Sequence, residues 1–340
     1  MSDPRPECSV VIPTYNGRHL LEVCLASIER CRPGGRAIEV IVVDDASTDD
    51  TVAWITTGFP TVRLVRLEEN RGFVAAANAG IAAARGEFVQ LLNNDTEVTY
   101  GWIEAALEPF RDQTVGSVAP LVLVRSDPER VDSAGDTYSP LGWPCKRGHG
   151  RLASAWTGRR PGKVFGASGS SAFYRASALA RVGLYDPSFG SYYEDVDLSF
   201  RLRWAGYSCI FAPGSRVLHE VSASYDHGRP ALQRRMARNA EILYWTNLPA
   251  IWIVASIIPH MGFVLAQGIW RSARGRGRPF LGGKLDALRE LASFRSRRRV
   301  RTDLRRTAVS RPHFPLSFST LSEVGGHLRR PKESFRRFHG

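Results

Sequence analysis

Two kinds of hydrophobic spacing alternate along the N-terminal part of this 340-residue chain. Short runs rich in β-branched and other apolar residues, which are typical of strands, lie at residues 8–13, 38–43, 62–67 and 88–92. Between these runs, apolar residues recur at helical spacing, and Gly or Pro ends the helical segments. The alternation predicts an α/β domain in which a mostly parallel sheet carries helices on both faces.

The spacing is less regular in the following part of the chain. It predicts a strand over residues 117–124, a second strand at the end of residues 164–174, and a helix over residues 194–204. Residues 132–162 are rich in Gly, Pro, Trp and Arg, and we expect an irregular surface segment there. Long irregular segments of this kind often carry function.

Polar side chains follow the strand predicted at residues 88–92, namely Asn93, Asn94, Asp95 and Glu97. Open α/β sheets bind ligands at the carboxyl ends of their strands. Carboxylate and amide oxygens are hard ligands that suit Mg²⁺ or Mn²⁺, and such a cation can hold a diphosphate. The alternative is that these residues form only a turn.

A second acidic group, Glu194, Asp195 and Asp197, lies in the first turn of the helix predicted over residues 194–204. The helix dipole favours acidic side chains there, so helix capping explains one or two of them. Three carboxylates directly behind a pair of tyrosines indicate a site. His219 ends a later apolar segment, and it is either a metal ligand or a buried core histidine.

Composition excludes several classes of protein. No Gly-x-Gly-x-x-Gly follows the first strand, which argues against a dinucleotide-binding dehydrogenase. The five cysteines are scattered without a Cys-x-x-Cys pair, so we expect reduced thiols in the cytosol and no disulfide frame or zinc site. Residues 1–7 are polar, and we expect no signal peptide.

The ordered set of motifs resembles glycosyltransferase family 2, and within it the bacterial rhamnosyltransferase-like enzymes of cell-wall and surface-polysaccharide assembly. The resemblance covers residues 8–225 and implies the GT-A nucleotide-diphospho-sugar transferase fold. The motifs that carry it are residues 10–16, 43–49, 70–73, 91–96 and 193–198, followed by His219. Each motif is short, and the specificity comes from their order and spacing.

The resemblance implies a donor site and a metal site. The residues it assigns to the donor are Pro13, Thr14, Asp45, Gly72, Asn78 and Asn94. Asp45 would face the pyrimidine base, whose ring N–H a carboxylate can accept. Asp95 and His219 would hold the divalent cation, Mg²⁺ or Mn²⁺. The family's usual Asp-x-Asp motif begins here with Asn93, so the cation would have one negative ligand fewer.

The resemblance also implies a mechanism. Asp195 would act as the general base toward the acceptor hydroxyl, and Glu194 would orient the acceptor or the base. Gly169 and Ser170 would lie near the acceptor. A single in-line displacement would invert the anomeric configuration without a covalent enzyme intermediate. The Gln-x-x-Arg-Trp motif of processive synthases lacks its Gln in residues 201–204, so we expect transfer of one or a few sugars.

An apolar segment follows the predicted catalytic domain. Residues 248–270 contain no charged residue, and 23 residues are enough to span a bilayer. Two prolines, a histidine and a glutamine interrupt the segment. The predicted catalytic domain needs cytosolic nucleotide sugar. A single span would therefore place the basic C-terminal part on the other side of the membrane, against the positive-inside tendency. We therefore expect an in-plane or re-entrant helix.

The charge is concentrated at the C-terminus. Residues 271–340 contain 19 Lys and Arg against 5 Asp and Glu, a net charge of +14, while the other residues contain 27 against 28, a net of −1. Such a segment favours an anionic surface. Aromatic residues are few between the arginines, so we expect a membrane and no nucleic acid. The simpler alternative is a solvated helical face with a disordered end.

These observations divide the chain into a catalytic domain over residues 1–225, a helical connector with the apolar segment over 226–270, and a basic tail over 271–340. The predicted function is transfer of a sugar from dTDP-rhamnose or a UDP-sugar to a lipid-linked glycan. The predicted location is the cytoplasmic face of the cell membrane, as a peripheral or monotopic protein. The alternatives are an inactive sugar- or glycan-binding protein, or a sugar nucleotidyltransferase, which would need a Gly-rich phosphate loop near the first strand.

Overall fold

The computed structural model describes residues 5–220 and 229–316. Strands and helices alternate in its N-terminal part as the hydrophobic spacing predicts. In chain order they are β1 Cys8–Thr14, α1 Arg18–Arg30, β2 Ile38–Asp44, α2 Thr51–Gly58, β3 Arg63–Arg66, α3 Phe73–Ala83 and β4 Phe88–Leu92.

The rest of the catalytic part contains shorter strands and helices. They are β5 Thr96–Val98, α4 Trp102–Leu107, β6 Val115–Val124, β7 Asp127–Ser133, β8 Asp136–Ser139, β9 Trp143–Lys146, α5 Ser154–Thr157, β10 Gly162–Val164, β11 Ser171–Arg175, α6 Ala176–Val182, α7 Glu194–Trp204 and β12 Ser208–His219. Within residues 229–316 the helices are α8 Pro230–Asn247, α9 Ala250–Ser272, α10 Gly277–Arg289 and α11 Leu291–Arg306.

Within the described residues the main sheet runs in the order β10-β12-β6-β11-β4-β1-β2-β3, with β5 paired to β12 and β7 paired to β6. The strands β1 to β4 are parallel. Strand β11 lies antiparallel between β4 and β6. The half of the sheet that contains β11 is therefore mixed. The parallel half, β1 to β4, brings the carboxyl ends of β1, β2 and β4 to one edge.

Alternate residues of β1 point to opposite faces of the sheet, as the twofold repeat of a strand requires. Val11 packs into the apolar cluster that includes α3, α6 and α7, whereas Val10 and Ile12 pack into the cluster that includes α1, α2 and α4. Helices therefore cover both faces, and the predicted α/β architecture is confirmed.

The segment predicted to be an irregular surface loop, residues 132–162, is largely ordered structure. It contains the end of β7, the hairpin β8–β9 and the short helix α5. Asp132 and Tyr138 within it are fully buried. The prediction was wrong because Gly and Pro mark the turns of this hairpin and because its polar residues have buried partners; Gly142 makes the hairpin turn with a positive φ of 83°.

The basic segment does not stand apart from the catalytic domain. Helices α10 and α11 pack against α8, and α11 also packs against α7. Phe294 of α11 is buried in an apolar cluster with Phe200 of α7 and Tyr244 of α8. Residues 317–340 of the predicted tail, and the predicted domain boundary at residue 225, lie outside the described residues.

Helix α9 is the one helix in residues 5–220 and 229–316 that is long and apolar enough to cross a membrane, judged by length and composition. It contains Pro259 and buries only a small part of its surface. Ile251, Val254 and Ile258 are 76%, 79% and 82% exposed, which leaves an apolar stripe along the helix without a partner in the described structure.

Candidate active site

The carboxyl ends of β1, β2 and β4 are joined by hydrogen bonds. The backbone N–H of Asp45, just after β2, donates to the carbonyl oxygen of Thr14 over 2.9 Å. The side-chain amide of Asn94, just after β4, donates to Oγ1 of Thr14 over 3.0 Å. Pro13 is buried in β1 opposite Val43. The structure therefore brings together four of the residues that the sequence assigned to a donor, Pro13, Thr14, Asp45 and Asn94.

Asp45 holds the turn that precedes α3. Its Oδ1 accepts the backbone N–H of Arg71 and its Oδ2 accepts that of Gly72, each over 2.8 Å. Gly72 has a φ of +82°, which favours glycine. A carboxylate has about four acceptor positions. Asp45 thus binds the Arg71–Gly72 turn and keeps acceptor capacity for a ring N–H.

Asn78, predicted as a donor ligand, contacts the backbone of Tyr185. Its side-chain amide donates to the carbonyl oxygen of Tyr185 over 2.8 Å, and its Oδ1 accepts the N–H of Tyr185 over 3.0 Å. Both ends of the amide are therefore engaged by the backbone of one residue. Asn78 thus joins α3 to the segment before α7, and its role as a donor ligand stays a prediction.

Asp95 and His219 meet at the edge of the sheet, as predicted for a metal site. Nε2 of His219 lies 3.3 Å from Oδ1 of Asp95. Within the described residues, this buried oxygen and Oδ1 of Asn93 have no hydrogen-bond partner. Two ligands at about 2.1 Å from one cation and at right angles to each other would be about 3 Å apart. The spacing, the unpaired oxygens and the oxygen–imidazole donor set fit a divalent cation.

Asp132 supports His219 from the other side. Its Oδ2 lies 3.0 Å from Nδ1 of His219 and 2.8 Å from Nζ of Lys146. Burial lowers the pKa of His219, but the hydrogen bond with Asp132 and the nearby carboxylate of Asp95 outweigh it and raise the pKa to about 9. Asp132 was missed in the sequence because it lies in the segment predicted to be irregular. A carboxylate that binds the second nitrogen of a metal-bound histidine is a common orienting arrangement.

Asp195 is oriented by two backbone N–H groups. Gly169 donates to its Oδ2 and Val196 to its Oδ1, each over 2.8 Å. Loss of water contact raises the pKa of Asp195, and these hydrogen bonds oppose the shift. A fixed carboxylate at the start of α7, with its pKa moved toward neutrality, has the properties of a general base.

Glu194 lies next to Asp195 and is buried. Burial, followed by the charge of Asp195, raises the pKa of Glu194 to about 8. Its Oε2 has no hydrogen-bond partner among the described residues. Asp136 on β8 belongs to the same group of carboxyls, because burial and the charge of Asp195 raise its pKa well above the usual range, against the effect of Lys146. Glu194 and Asp195 titrate as a pair, and a proton on Glu194 favours the charged form of Asp195.

The loop at residues 168–170 connects the two halves of the site. The N–H of Gly169 binds Asp195, and the carbonyl oxygen of Ser170 accepts the N–H of Asn93 over 3.0 Å. The residues predicted near the acceptor, Gly169 and Ser170, therefore lie between the carboxylate candidate for the base and the Asn93–Asp95 segment.

The third acid of the α7 turn has a structural role. Asp197 accepts hydrogen bonds from Nε of Arg201, Nη2 of Arg301 and Nδ2 of Asn247 at 2.7, 2.7 and 2.9 Å. Burial would raise the pKa of Asp197, but Arg301 and Arg201 lower it to about 2. Asp197 is fully buried, and it connects α7 to α8 and α11 below the site.

Two solved structures share the fold of this chain. One is GalNAc-T7 with UDP, GalNAc and Mn²⁺, with a TM-score of 0.56 and 19% identity over 72% of this chain and about half, 51%, of that chain. The other is the mannosyltransferase PcManGT from Pyrobaculum calidifontis with GDP-Man and Mn²⁺, with a TM-score of 0.51 and 22% identity over 97% of this chain and 82% of that chain. The fold is the GT-A fold.

Sequence similarity is more specific. The chain is 27% identical over 324 residues to the N-acetylglucosaminyl-diphospho-decaprenol L-rhamnosyltransferase of Mycobacterium tuberculosis. The alignment covers 84% of this chain and 100% of the relative. The model of the family "Glycosyl transferase family 2" matches residues 9–183, which hold the donor-side motifs and the Asp95 turn. This chain belongs to glycosyl transferase family 2.

Proposed function

We propose that this protein is an inverting, metal-dependent glycosyltransferase that moves a sugar from a nucleoside-diphosphate donor to a hydroxyl of a lipid-linked glycan in cell-wall or surface-polysaccharide assembly. The observation that carries the proposal is the position of Asp195. Gly169 binds Asp195, and the same loop binds Asn93. The loop therefore fixes the position of the proposed base relative to the segment that contains Asp95.

Asp195 is the group that takes the proton of the acceptor hydroxyl. The hydroxyl oxygen attacks the anomeric carbon as the bond to the nucleoside diphosphate breaks, with charge developing as in glycoside cleavage. Attack from the face opposite the leaving group inverts the configuration. Glu194, protonated near neutral pH, donates a hydrogen bond to the acceptor or to Asp195 and leaves Asp195 as the charged member of the pair.

Asp95 and His219 would hold the divalent cation, with Asn93 as a neutral neighbour. When bound, a cation there supplies positive charge for the leaving diphosphate. Asp132 keeps the His219 ring directed at Asp95 through its 3.0 Å contact with Nδ1. Thr14, Asp45 and Asn94 form the nucleotide side of the site, where Asp45 accepts the ring N–H of a pyrimidine.

The donor and acceptor are proposed from the relative that matches over most of this chain. Its name specifies rhamnosyl transfer to N-acetylglucosaminyl-diphospho-decaprenol. We therefore place dTDP-rhamnose first among donors and UDP-sugars second. The acceptor class is a glycan on a polyprenyl diphosphate, whose lipid part requires that the enzyme work at a bilayer surface.

Membrane association is supported by two neighbouring exposed stripes. The stripe on α9 contains Val254, Ile258 and Met261. The stripe on α10 contains Leu281 and Leu285, which are 53% and 55% exposed. Helices α9 and α10 are in contact, and each carries exposed apolar side chains. We propose that these stripes lie in the cytoplasmic face of the cell membrane, where the arginine-rich sequence faces anionic headgroups.

The test is a panel of nucleotide sugars with Mn²⁺ or Mg²⁺, scored by nucleoside-diphosphate release with a bacterial lipid extract as the acceptor source. The variants are Asp195→Asn and, as a matched control, Asp127→Asn, whose side chain is 55% exposed at the start of β7. We expect release with one donor, a loss of about 10²-fold or more in Asp195→Asn, unchanged nucleotide binding, and full activity in Asp127→Asn.

Other outcomes decide between the alternatives. Nucleotide binding without turnover of any donor would favour an inactive binding protein, a reading to which Asn93 in place of the usual first aspartate gives support. Absence of nucleotide binding would overturn the proposal. Retention of the anomeric configuration in the product would refute the role given to Asp195.

A further inference from the structure

A cavity of about 180 Å³ lies between the β8–β9 turn, Tyr193 and helices α8, α9 and α10. Pockets that enclose a whole drug-sized ligand are roughly 300–1,000 Å³. This cavity is smaller, so it fits one part of a ligand whose remainder lies outside. It is separate from the nucleotide side at the ends of β1, β2 and β4.

One side of the cavity is apolar. Trp143 from β9 and Phe263 from α9 pack edge to face there, with ring centroids 5.7 Å apart. Met236 of α8 and Val264 of α9 continue the wall. Such a wall favours a hydrocarbon part in the ligand.

The other side is cationic, and two of its charges lack a carboxylate. Lys284 is neutralised, because its Nζ lies 2.6 Å from Oε1 of Glu241. Arg271 and Arg276 have no ion pair within residues 5–220 and 229–316. Nε of Arg271 is buried without a hydrogen-bond partner there, and its guanidinium lies 5.2 Å from the Phe280 ring. Two unpaired guanidiniums at one cavity call for an anion, and arginine is well suited to phosphate.

The cavity adjoins the candidate base. Tyr193 lines it and is the residue directly before Glu194 and Asp195, with a left-handed φ of 73°. The cavity therefore reaches the residue that precedes the two carboxylates in the chain.

The apolar wall is continuous with the exposed stripe of α9. Phe263 and Val264 face the cavity, while Met261 and Leu265 of the same helix are 56% and 66% exposed. Arg276 lies at the rim, in an exposed position between α9 and α10. The cavity thus combines an apolar wall next to the exposed residues of α9 with two arginines, one of them at its rim.

We propose that this cavity binds the diphosphate and the first isoprene units of a polyprenyl-diphosphate-linked glycan acceptor, with Arg271 and Arg276 as the phosphate ligands. The proposal rests on the proposed function and assigns the acceptor subsite of that reaction. Charge complementarity selects a diphosphate, and continuity with the α9 stripe selects a lipid over a free anion.

The experiment measures binding of farnesyl diphosphate to the full chain in detergent by calorimetry. The test variant is Arg271→Gln with Arg276→Gln. The matched control is Arg274→Gln with Arg278→Gln, which removes the same charge from exposed positions of the same segment that do not line the cavity. We expect at least about tenfold weaker binding in the test variant and less than about twofold change in the control. Circular dichroism checks that each variant folds.

Two further ligands separate headgroup from chain. Farnesol and inorganic diphosphate should each bind more weakly than farnesyl diphosphate, and only the two diphosphates should respond to the test variant. Equal binding of inorganic and farnesyl diphosphate would overturn the lipid assignment. Equal losses in the test and control variants would overturn the assignment of the two arginines.

A last measurement keeps this proposal distinct from the proposed function. Release of nucleoside diphosphate by transfer to water needs no lipid acceptor, so the test variant should keep it while losing transfer to lipid. If no donor is turned over but farnesyl diphosphate binding still depends on Arg271 and Arg276, the transferase proposal fails and the lipid-diphosphate site stands.

Discussion

Arg301 and Asp197 form a buried ion pair in which Nη2 lies 2.7 Å from Oδ1, although 104 residues separate them in the chain. The pair fixes α11 beneath the helix that carries Glu194 and Asp195. Arg301→Ala removes one of the two arginines at Asp197, which keeps Arg201 and Asn247, so the cost is that of losing a hydrogen bond to a charged group, about 1.5–3 kcal/mol. We therefore expect Arg301→Ala to lower the free energy of unfolding by that amount, measured by urea denaturation.

The control is Arg299→Ala, an exposed arginine on the same helix, which should change the free energy of unfolding by less than about 0.5 kcal/mol. Equal effects of the two substitutions would show that α11 does not support the catalytic helix.

Asp132→Asn tests the support of His219. The substitution removes the charge that lies 3.0 Å from Nδ1 while it keeps the size of the side chain. Loss of an orienting carboxylate costs about 10–100-fold in metal affinity. We expect a loss in this range when Mn²⁺ binding is followed by electron paramagnetic resonance, and none for Asp127→Asn. Unchanged Mn²⁺ affinity in folded Asp132→Asn would exclude the positioning role.

Glu194 makes stability depend on pH. Its pKa is raised from 4.5 to about 8, so between these values the folded state holds a proton that the unfolded chain releases. The contribution is fully present below pH 4.5 and is lost as the pH rises through about 8. Glu194→Gln should therefore have a higher melting temperature than wild type at pH 9. The difference in melting temperature between the two proteins should be smallest near pH 4.

Between pH 4 and pH 9, the free energy of unfolding of Glu194→Gln should rise relative to that of wild type by at least about 1.4 kcal/mol, the equivalent of one pKa unit. The exposed Glu22→Gln, measured at the same two pH values, serves as the reference substitution. A pH-independent difference for Glu194→Gln would contradict the raised pKa.

Gly169→Ala tests how closely Asp195 must be placed. A Cβ at Gly169 would lie 3.3 Å from Oδ2 of Asp195, closer than ordinary van der Waals contact, so the carboxylate has to move by a few tenths of an ångström. Displacements of about 1 Å at a catalytic group cost on the order of 10²-fold in rate. We expect a fall of about tenfold in kcat with little change in donor KM.

Gly158→Ala is the matched substitution, because a Cβ at Gly158 would meet no atom within 4 Å. It should leave both kinetic constants unchanged. If Gly169→Ala also retains full kcat, the hydrogen bond from Gly169 does not determine the geometry of the reaction.

Sequence reasoning found the residues whose position follows from the strand repeat. Asp45 and Asn94 end parallel strands, so their meeting at one edge could be expected from the alternation of strands and helices. Asp132 and Lys146 could not be found in this way. Asp132 lies near the end of β7 and Lys146 ends β9, and they meet because the β8–β9 hairpin folds back toward β7. The sequence pattern of a turn does not show which polar side chain acquires a buried partner.

The C-terminal arginines illustrate the same limit. A net charge counts Arg297, Arg298 and Arg301 as parts of one basic surface. In the structure Arg297 pairs with Asp186, Arg298 donates to the carbonyl of Trp245, and Arg301 pairs with Asp197. Their charges support the fold of the catalytic part, and composition cannot separate them from the arginines that stay in solvent.

The long separation of Asp197 from Arg301 sets an order of events during protein synthesis. Ribosomes add about 5–20 residues per second, so the arginine is made roughly 5–20 s after its partner. The apolar helix α9 is made within that interval. The nascent chain therefore exposes its most apolar helix while Asp197 has only Arg201 as a counter-charge, and the second arginine at Asp197 is added only after α9 has been made.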